Sequence, residues 1–482
     1  MCSSTIKVRF LIDREQNRVV FAEAGSDFVD VLFSFLTLPL GRIVRLLNKQ
    51  SCLGSLDSIY DSVERLDIKH LKTEACRDML LNPRNAAAIQ CEDLKIKGIH
   101  ELDPRSFYTC SQDDCLIRST CYYTFSIKCV CHRCGKPMDS AWHWKSKISG
   151  EGGIFVRDKD NFMITDDLRV IPTSLVKGLS LFKEMQIKEA SLLEERVLDF
   201  GTNEALNLLG KSLVSKNALT LVCFPDAPVQ ENDGFSLPIK EEIIVIEEED
   251  EINLKLILNK ENNNILYAEV GEDFINLLFS FLTFPLGSIF GLFSDSISLG
   301  GCIKNLHSSA ENMGLERFKS EICRNLLVNP KLSSFYGCNK NQILQLEEIA
   351  SEKRIVRKGC LKCYFDNGYR PVESAPCEHG IEQAEFIEWN PKCAKKMADA
   401  GELANFVVGS RTYMVSDNLR VSPLSIISAV GSGMNLSTCD MVGKEVSIDN
   451  VRARSLLGAM LISKTVLTDV FSSKPTRKRK RL

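Results

Sequence analysis

Cysteine is the residue type that most strongly suggests chemistry in this chain of 482 residues, which contains nineteen of them. Cys110 and Cys115 are separated by four residues, and Cys131 and Cys134 by two. Gly135 follows the second pair and suits the tight turn of a zinc knuckle. Because four thiolates from two such turns can surround zinc tetrahedrally, the spacing predicts a structural zinc site at these four cysteines.

The ligand set of this site stays open at the level of sequence. Cys121, Cys129 and His132 lie close enough along the chain to be alternative ligands. Reduced cysteines that bind no metal are the competing interpretation. A catalytic zinc is not expected, because no carboxylate–histidine set nearby indicates an open coordination position.

A second group of candidate metal ligands lies further along the chain and consists of Cys360, Cys363, Cys393 and His379. The string CAKKM in this group matches CGKPM in the first one. Asn390 stands where the first group has its third cysteine, so a fourth thiolate is missing. Cys377 is an alternative to His379 as its replacement, and a site without metal is the other interpretation.

The N-terminus bears on whether these cysteines are oxidised. The string MCSSTIKVRF has a charged residue at Lys7, and no apolar segment with a small-residue cleavage site follows it. We therefore expect an intracellular protein with reduced thiols, in which paired cysteines indicate metal rather than disulfides.

The elements that must position these residues are organised around a stretch that occurs twice. FAEAGSDFVDVLFSFLTLPLG at 21–41 returns as YAEVGEDFINLLFSFLTFPLG at 267–287, which lies 246 residues later with about two-thirds of its positions identical. MITDDLRVIPTSL and LLGKSLVSKNALT also return, as MVSDNLRVSPLSI and LLGAMLISKTVLT. Since solenoid units have only 20–50 residues, this domain-sized period predicts a tandem duplication of one domain.

Each copy is predicted to be α+β. Apolar and polar residues alternate over 6–22 as in a half-buried β-hairpin. Asp27 and Asp273 precede the two apolar runs, where each is expected to cap a helix. A cysteine-rich insert and a C-terminal strand–helix part follow, in which Asp166 and Asp167 are expected to serve a turn and a helix start rather than a metal. The predicted units are a first copy at 1–222, an acidic linker at 223–251, a second copy at 252–471 and a basic tail at 472–482.

The apolar run at 274–293 contains no charged side chain and is about as long as a membrane span. The equivalent run of the first copy, however, contains Asp30, Arg42 and Arg45, which are costly inside a bilayer. A Pro-x-Gly string also interrupts both runs. We therefore expect a buried core helix followed by a second short helix, with a membrane hairpin or interfacial segment as the alternative.

The linker contains a short segment that suggests a partner. A run of β-branched residues is followed by five acidic ones, and it consists of Ile243, Ile244, Val245 and Ile246. The segment resembles a motif that binds the small ubiquitin-like modifier by adding a strand to its sheet, the acids meeting a basic rim. An edge strand of the second copy followed by a solvated acidic run is the alternative.

The C-terminus carries a compact basic cluster of Arg477, Lys478, Arg479, Lys480 and Arg481. This cluster resembles a nuclear import signal, so the nucleus is one expected location and the cytoplasm the other. Non-specific RNA affinity or a solubilising role are the alternatives. The net charge of −3 gives no general attraction to nucleic acid, and membrane association is not expected.

No set of residues in the sequence forms a recognisable catalytic site. The chain lacks a Gly-x-Gly-x-x-Gly fingerprint, a Walker loop and a Gly-x-Ser-x-Gly elbow. The function that we expect is therefore an interaction or scaffold protein with protein partners. An enzyme whose site lies between the copies and a membrane-associated protein are the alternatives.

The strings FAEAGSDFVDVLFSFLTLPLG, MITDDLRVIPTSL and EALNLLGKSLVSK resemble a plant family of uncharacterised proteins, the domain of unknown function 674. The resemblance extends over nearly the whole chain in both copies. It implies a domain with the same hairpin, helical run, cysteine-rich insert and helical close. It brings no known activity and no catalytic residues.

Overall fold

A computed structural model gives the fold of the protein. It describes residues 5–101, 103–116, 120–126, 128–144, 153–157, 160–187, 190–230, 251–293, 301–338, 344, 346–351, 353–358, 382–393, 405–425 and 441–472. The linker motif at 243–246, the basic cluster at 477–481 and three residues of the second cysteine group lie outside these ranges. We call residues 5–230 the first half and residues 251–472 the second half.

The hairpin at the start of the chain forms as predicted and becomes the centre of a sheet. The strands of the first half are β1 (Ile6–Asp13), β2 (Arg18–Gly25), β3 (Ser106–Thr109), β4 (Thr120–Thr124), β5 (Ser140–His143), β6 (Asn161–Thr165), β7 (Val170–Pro172) and β8 (Leu193–Phe200). Its helices are α1 (Ser26–Ser34), α2 (Leu40–Leu46), α3 (Leu56–Arg65), α4 (Glu74–Leu81), α5 (Asp113–Leu116), α6 (Leu175–Glu184), α7 (Thr202–Val214) and α8 (Ala218–Cys223). The first sheet is antiparallel with the order β7-β6-β2-β1-β8.

The second half has a sheet of the same kind. Its strands are β9 (Ile252–Asn259), β10 (Ile265–Val270), β11 (Lys353–Lys358), β12 (Glu382–Glu388), β13 (Tyr413–Ser416), β14 (Val421–Pro423) and β15 (Met441–Ile448). Its helices are α9 (Glu272–Ser280), α10 (Leu286–Phe293), α11 (Ile303–Asn312), α12 (Glu321–Val328), α13 (Asn450–Ile462) and α14 (Val466–Phe471). The second sheet has the order β14-β13-β10-β9-β15, so the α+β class is confirmed.

A third sheet takes strands from both halves. Its order is β11-β12-β4-β3-β5, and β12 of the second half runs parallel to β4 of the first. The two halves of the protein therefore cannot be separated without breaking the hydrogen bonds between β12 and β4.

The two apolar runs form short buried helices. In the first run α1 ends at Ser34, a 3-10 turn follows at Phe35–Thr37, and Pro39 precedes α2. Phe28, Phe33 and Phe35 are completely buried there. The expected capping by aspartate is wrong: the helix starts at Ser26, and Asp27 lies in its first turn, where it pairs with Lys95. Gly25 takes the cap position because the strand runs directly into the helix.

The two runs meet each other at their prolines. Pro39 and Pro285 form an isolated antiparallel bridge. The Leu40 N–H donates to Phe284 O over 3.0 Å, and the Leu286 N–H donates to Leu38 O over 3.0 Å. Equivalent residues of the repeated stretch thus bind each other reciprocally, as around a local two-fold axis.

Helices are exchanged between the two sheets. α3 of the first half packs on β14, and α11 of the second half packs on β7. The Ser62 hydroxyl accepts a hydrogen bond from the Val421 N–H over 2.9 Å, and the Ser309 hydroxyl accepts one from the Val170 N–H over 2.9 Å. Each serine satisfies a backbone donor on the open edge of the other half's sheet. Buried residues of both halves consequently form one continuous core.

Asp166 and Asp167 lie in the turn between β6 and β7, which form a hairpin where the sequence predicts the strand of the C-terminal strand–helix part. The Asp166 carboxylate accepts hydrogen bonds from the Thr220 N–H at 2.7 Å and the Thr220 hydroxyl at 2.6 Å, at the start of α8. Asp417 accepts the same pair from Thr468 at 2.8 Å each. The turn predicted for this pair is therefore confirmed, whereas the helix-start role holds for Asp166 alone, because Asp167 binds Arg169 and Asn305.

Candidate metal centre

Three short elements of the first half carry the four cysteines predicted as zinc ligands. Cys110 follows β3, and Cys115 lies in α5. Cys131 and Cys134 sit on a turn closed by two hydrogen bonds of 2.8 Å, from the Gly135 N–H to Cys131 O and from the Cys131 N–H to Lys136 O. Gly135 has φ +72°, a conformation that favours glycine, so its presence after the cysteine pair has a steric reason.

The four sulfur atoms are close enough to share one ion. All lie within 4.8 Å of one another. Cys110 Sγ is 3.4 Å from Cys134 Sγ, and Cys131 Sγ is 3.8 Å from Cys115 Sγ. A tetrahedron with Zn–S bonds of about 2.3 Å has edges of about 3.8 Å, so the donor set fits a tetrathiolate zinc site with small adjustments.

The thiols differ in their surroundings. Burial raises the pKa of Cys115 to about 11 and raises that of Cys110 as well. The Lys136 amide lowers the pKa of Cys134, the one exposed cysteine of the four, to about 7. Since metal binds thiolates, loading this cluster would release protons.

The neighbouring candidates are engaged elsewhere. Cys129 Sγ is 3.3 Å from Thr124 Oγ1, and Cys121 is buried in an aromatic cluster with Phe107 and Phe386. The His132 ring stacks on the indole of Trp389, with centroids 4.6 Å apart. Of the candidate ligands, the structure brings Cys110, Cys115, Cys131 and Cys134 together as a group that could hold one metal ion.

The second half covers this cluster with a residue that sequence reasoning missed. Trp389, which follows β12, packs against the buried cysteines together with Ala75 and Met138. The backbone N–H of Trp389 donates to Tyr123 O over 2.6 Å, which extends the parallel pairing of β12 with β4. No local pattern marks Trp389 as a neighbour of cysteines more than 250 residues away, because only the mixed sheet brings them together.

The second cysteine group is only partly described. Cys393 is half-buried and packs against the cysteine cluster of the first half. Cys360, Cys363 and His379 lie outside the described residues. A metal site in this group stays a prediction.

Comparison with known protein families gives a match over part of the chain. Residues 301–482 match the family described as Protein of unknown function (DUF674). The DUF674 region begins just before α11 and includes Cys393, and the cysteine cluster of the first half lies outside it. No curated protein and no solved structure matches the chain. Among the described residues, no helix combines the length and the apolar character needed to cross a membrane.

Proposed function

We propose that this is an intracellular interaction or scaffold protein in which the four cysteines bind one structural zinc ion. The observation that carries the proposal is the clustering of four sulfur atoms within 4.8 Å. Three of the four cysteines are buried, and no histidine or carboxylate joins them in the described part of the chain. A closed set of four thiolates is typical of structural rather than catalytic zinc.

The metal module also ties the two halves together. Zinc would hold the end of β3, α5 and the knuckle turn in place against Trp389. Thr73, at the start of α4, donates its hydroxyl proton to Pro391 O over 2.8 Å and adds a second link beside the cluster. A protein whose halves are joined by a metal-ordered module is suited to present a fixed surface to partners.

Metal content measured on the intact protein, purified under reducing conditions, tests this function. We expect about one zinc per chain by native mass spectrometry and elemental analysis. Cys131→Ser with Cys134→Ser should abolish the metal and lower the melting temperature, whereas Cys52→Ser, at an exposed cysteine away from the cluster, should do neither. Full-length protein without metal, with a melting temperature insensitive to chelators, would contradict the proposal.

The tandem duplication is part of the same proposal. It is supported by the equivalent strand orders of the first two sheets and by the reciprocal bonds between the repeated Pro-Leu-Gly strings. The domain boundaries of the sequence analysis, 1–222 and 252–471, remain its predicted limits. They describe sequence units, since the folded halves share one core.

The proposals for the partners and the location of the protein depend on segments outside the described residues. We expect the run at 243–246 to bind the small ubiquitin-like modifier, and the cluster at 477–481 to direct nuclear import. Ile244→Ala with Val245→Ala should then eliminate pull-down by the immobilised modifier. Deletion of 477–481 should move a fluorescent fusion to the cytoplasm, and an unchanged distribution would remove the nuclear assignment.

An enzyme with a site between the halves is the second candidate. A polar cavity of about 140 Å³ lies there, lined by Asp78, Glu101 and Tyr108 from the first half and Tyr336 from the second. Burial raises the pKa of Asp78. Small-molecule sites usually have about 300–1,000 Å³, so this cavity supports an enzyme less well than the sulfur cluster supports a metal module.

A further inference from the structure

Helix α6 presents an apolar surface that nothing in the described chain covers. Leu175, Val176 and Leu179 are 88%, 74% and 65% exposed, and Leu181 is the buried residue of this helix. Most other large apolar side chains of the described residues are buried in one of four clusters. We call these three residues the α6 ridge. Adjacent exposed apolar side chains of this size mark a contact surface.

A groove of about 610 Å³ opens beside the α6 ridge, between β7 and α6 on one side and α11 on the other. Thr173, Ser174 and Lys177 line it, so the groove and the ridge share the first turn of α6. The lining is rich in hydroxyl and amide groups and includes two further cations, Arg169 and Arg317, and one carboxylate, Glu316. The groove is thus built to hold a polar, hydrogen-bonding group.

The charges around the groove leave several donors free. Arg169 pairs through Nε with Asp167 at 3.1 Å and through Nη2 with Glu184 at 3.5 Å. Arg317 binds Asp160 through Nη1 at 2.8 Å, and its Nε lies 3.9 Å from Glu316. Each guanidinium carries five N–H groups, so these partners orient the arginines without exhausting them.

Lys177 completes the basic set. It is exposed and makes no ion pair with the described part of the chain. Ser174, which lines the groove and precedes α6, makes no side-chain capping bond, so its side chain leaves the N–H groups of the first turn uncapped. A phosphoryl group is the ligand chemistry that a free ammonium, oriented guanidinium groups and hydroxyl groups recognise together.

The arrangement of α6 decides between a lipid surface and a protein partner. Leu175, Leu179 and Lys183 are spaced by four residues and lie on one helix face. A lysine in line with exposed leucines can lower its apolar stem with them and extend its ammonium to a phosphate. The centre of a protein interface is instead depleted of such charges.

We propose that α6 docks this protein on an anionic membrane surface, with the α6 ridge in the outer acyl layer and a phospholipid headgroup in the groove beside Lys177. This docking differs from the membrane segment considered from the sequence, because the two FSFLT strings are buried in the core. It is peripheral and reversible, since one short helix supplies the apolar contact.

Flotation of the full-length protein with vesicles tests the proposal. Vesicles of phosphatidylcholine with one-fifth phosphatidylserine should bind the protein, and vesicles of phosphatidylcholine alone should bind it weakly. Leu175→Ser with Leu179→Ser should lower the partition coefficient at least about tenfold, and Lys177→Gln about fivefold. Because these side chains are exposed, circular dichroism should show both variants folded.

Matched controls distinguish binding through α6 from non-specific binding through any exposed apolar or basic side chain. Ile322→Ser removes an apolar side chain that is 71% exposed on α12, and Lys7→Gln removes an exposed cation on β1; neither should change binding. Equal binding of the wild type and the ridge variant would overturn the proposal, as would no binding to anionic vesicles. Binding of inorganic phosphate without vesicle binding would overturn it in favour of a soluble anion. Self-association that the ridge variant loses, without vesicle binding, would overturn it in favour of a protein contact.

Discussion

Asp30 and Asn276 occupy equivalent positions in the repeated stretch. Both side chains accept hydrogen bonds from backbone N–H groups, but only Asp30 can ionise. The Asp30 carboxylate accepts hydrogen bonds from the N–H groups of Ile154, Phe155 and Val156 at 2.6–3.0 Å. Asn276 Oδ1 accepts them from Phe406 at 2.9 Å and Val407 at 3.1 Å. Each side chain holds a segment that crosses to the other half, because Val156 bridges to Phe318 and Val407 to Leu71.

The two residues should differ in their response to pH. Burial raises the pKa of Asp30 from 3.8 to about 6. The raised pKa means that the folded state holds the proton more tightly, so the contribution of Asp30 is fully present below pH 3.8 and is lost as the pH rises through 6. Ionised Asp30 therefore costs the folded state about 3 kcal/mol at pH 7.

We expect Asp30→Asn to remove this pH dependence. The free energy of unfolding of the variant, minus that of the wild type, should rise by about 2 kcal/mol from pH 4.5 to pH 7.5. Urea titration at the two pH values measures this change. Asn276→Asp is the matched reverse change and should introduce the same dependence into the second half. Parallel stability curves for wild type and Asp30→Asn would show that the carboxylate titrates at its ordinary pKa.

At the level of single residues, sequence spacing was enough to find the four cysteines but not to exclude their neighbours. Cys129 and His132 have equally suitable spacing, and only the contacts with Thr124 and Trp389 remove them. These contacts depend on tertiary geometry that spacing along the chain does not contain. The contact between Trp389 and the cysteines could not be predicted from the sequence for the same reason.

Local sequence patterns predict those helices and strands whose packing partners belong to the same half. Alternation predicts the β1–β2 hairpin, and the Pro-x-Gly string predicts the break between α1 and α2. The exchange of α3 and α11 had no local signal, because an amphipathic helix shows that it has a buried face and not which sheet buries it. The parallel pairing of β12 with β4 joins segments too far apart in sequence for a pattern to link them.

The packing of the helices leaves no room for a side chain at the glycines of the repeated Pro-Leu-Gly strings. A Cβ atom at Gly287 would lie 2.5 Å from Leu327 O and 3.1 Å from Leu36 O, and one at Gly41 would lie 2.7 Å from Leu80 O. These obstacles are backbone atoms of packed helices and turns, which cannot turn away as a flexible side chain can.

Gly287→Ala should therefore destabilise the protein although alanine is the better helix former. The propensity gain is at most about 1 kcal/mol, whereas overpacking at such a contact costs about 1–3 kcal/mol. We expect a lower denaturant midpoint for Gly287→Ala and for Gly41→Ala. Gly271→Ala is the control, since a Cβ there meets nothing within 4 Å; an unchanged midpoint for Gly287→Ala would mean that the helices can move apart at this crossing.

The two halves share one core, so we expect the whole molecule to behave as one folding unit in spite of its repeated sequence. α3 packs on the edge strand β14 and α11 on the edge strand β7, so each half covers one edge of the other half's sheet. A half expressed alone would expose both its own sheet edge and the helix face that the other half covers. Neither surface is stable in water at this size.

Separate expression of 1–230 and 231–482 tests this unity. We expect each fragment to lack a cooperative unfolding transition, and the two together to form a one-to-one complex with the far-ultraviolet circular dichroism of the intact chain. Size-exclusion chromatography with light scattering measures the complex. A fragment that unfolds cooperatively by itself would show that the helix exchange is dispensable.

The helix exchange also fixes the order of events during synthesis. α3 ends at Arg65, but the strand that it covers begins at Val421. At 5–20 residues per second, a ribosome needs roughly 20–70 s to make the chain between them. For that time the nascent first half carries an amphipathic helix without the edge strand that it covers, and we expect chaperones that hold unfinished chains to bind its exposed apolar face.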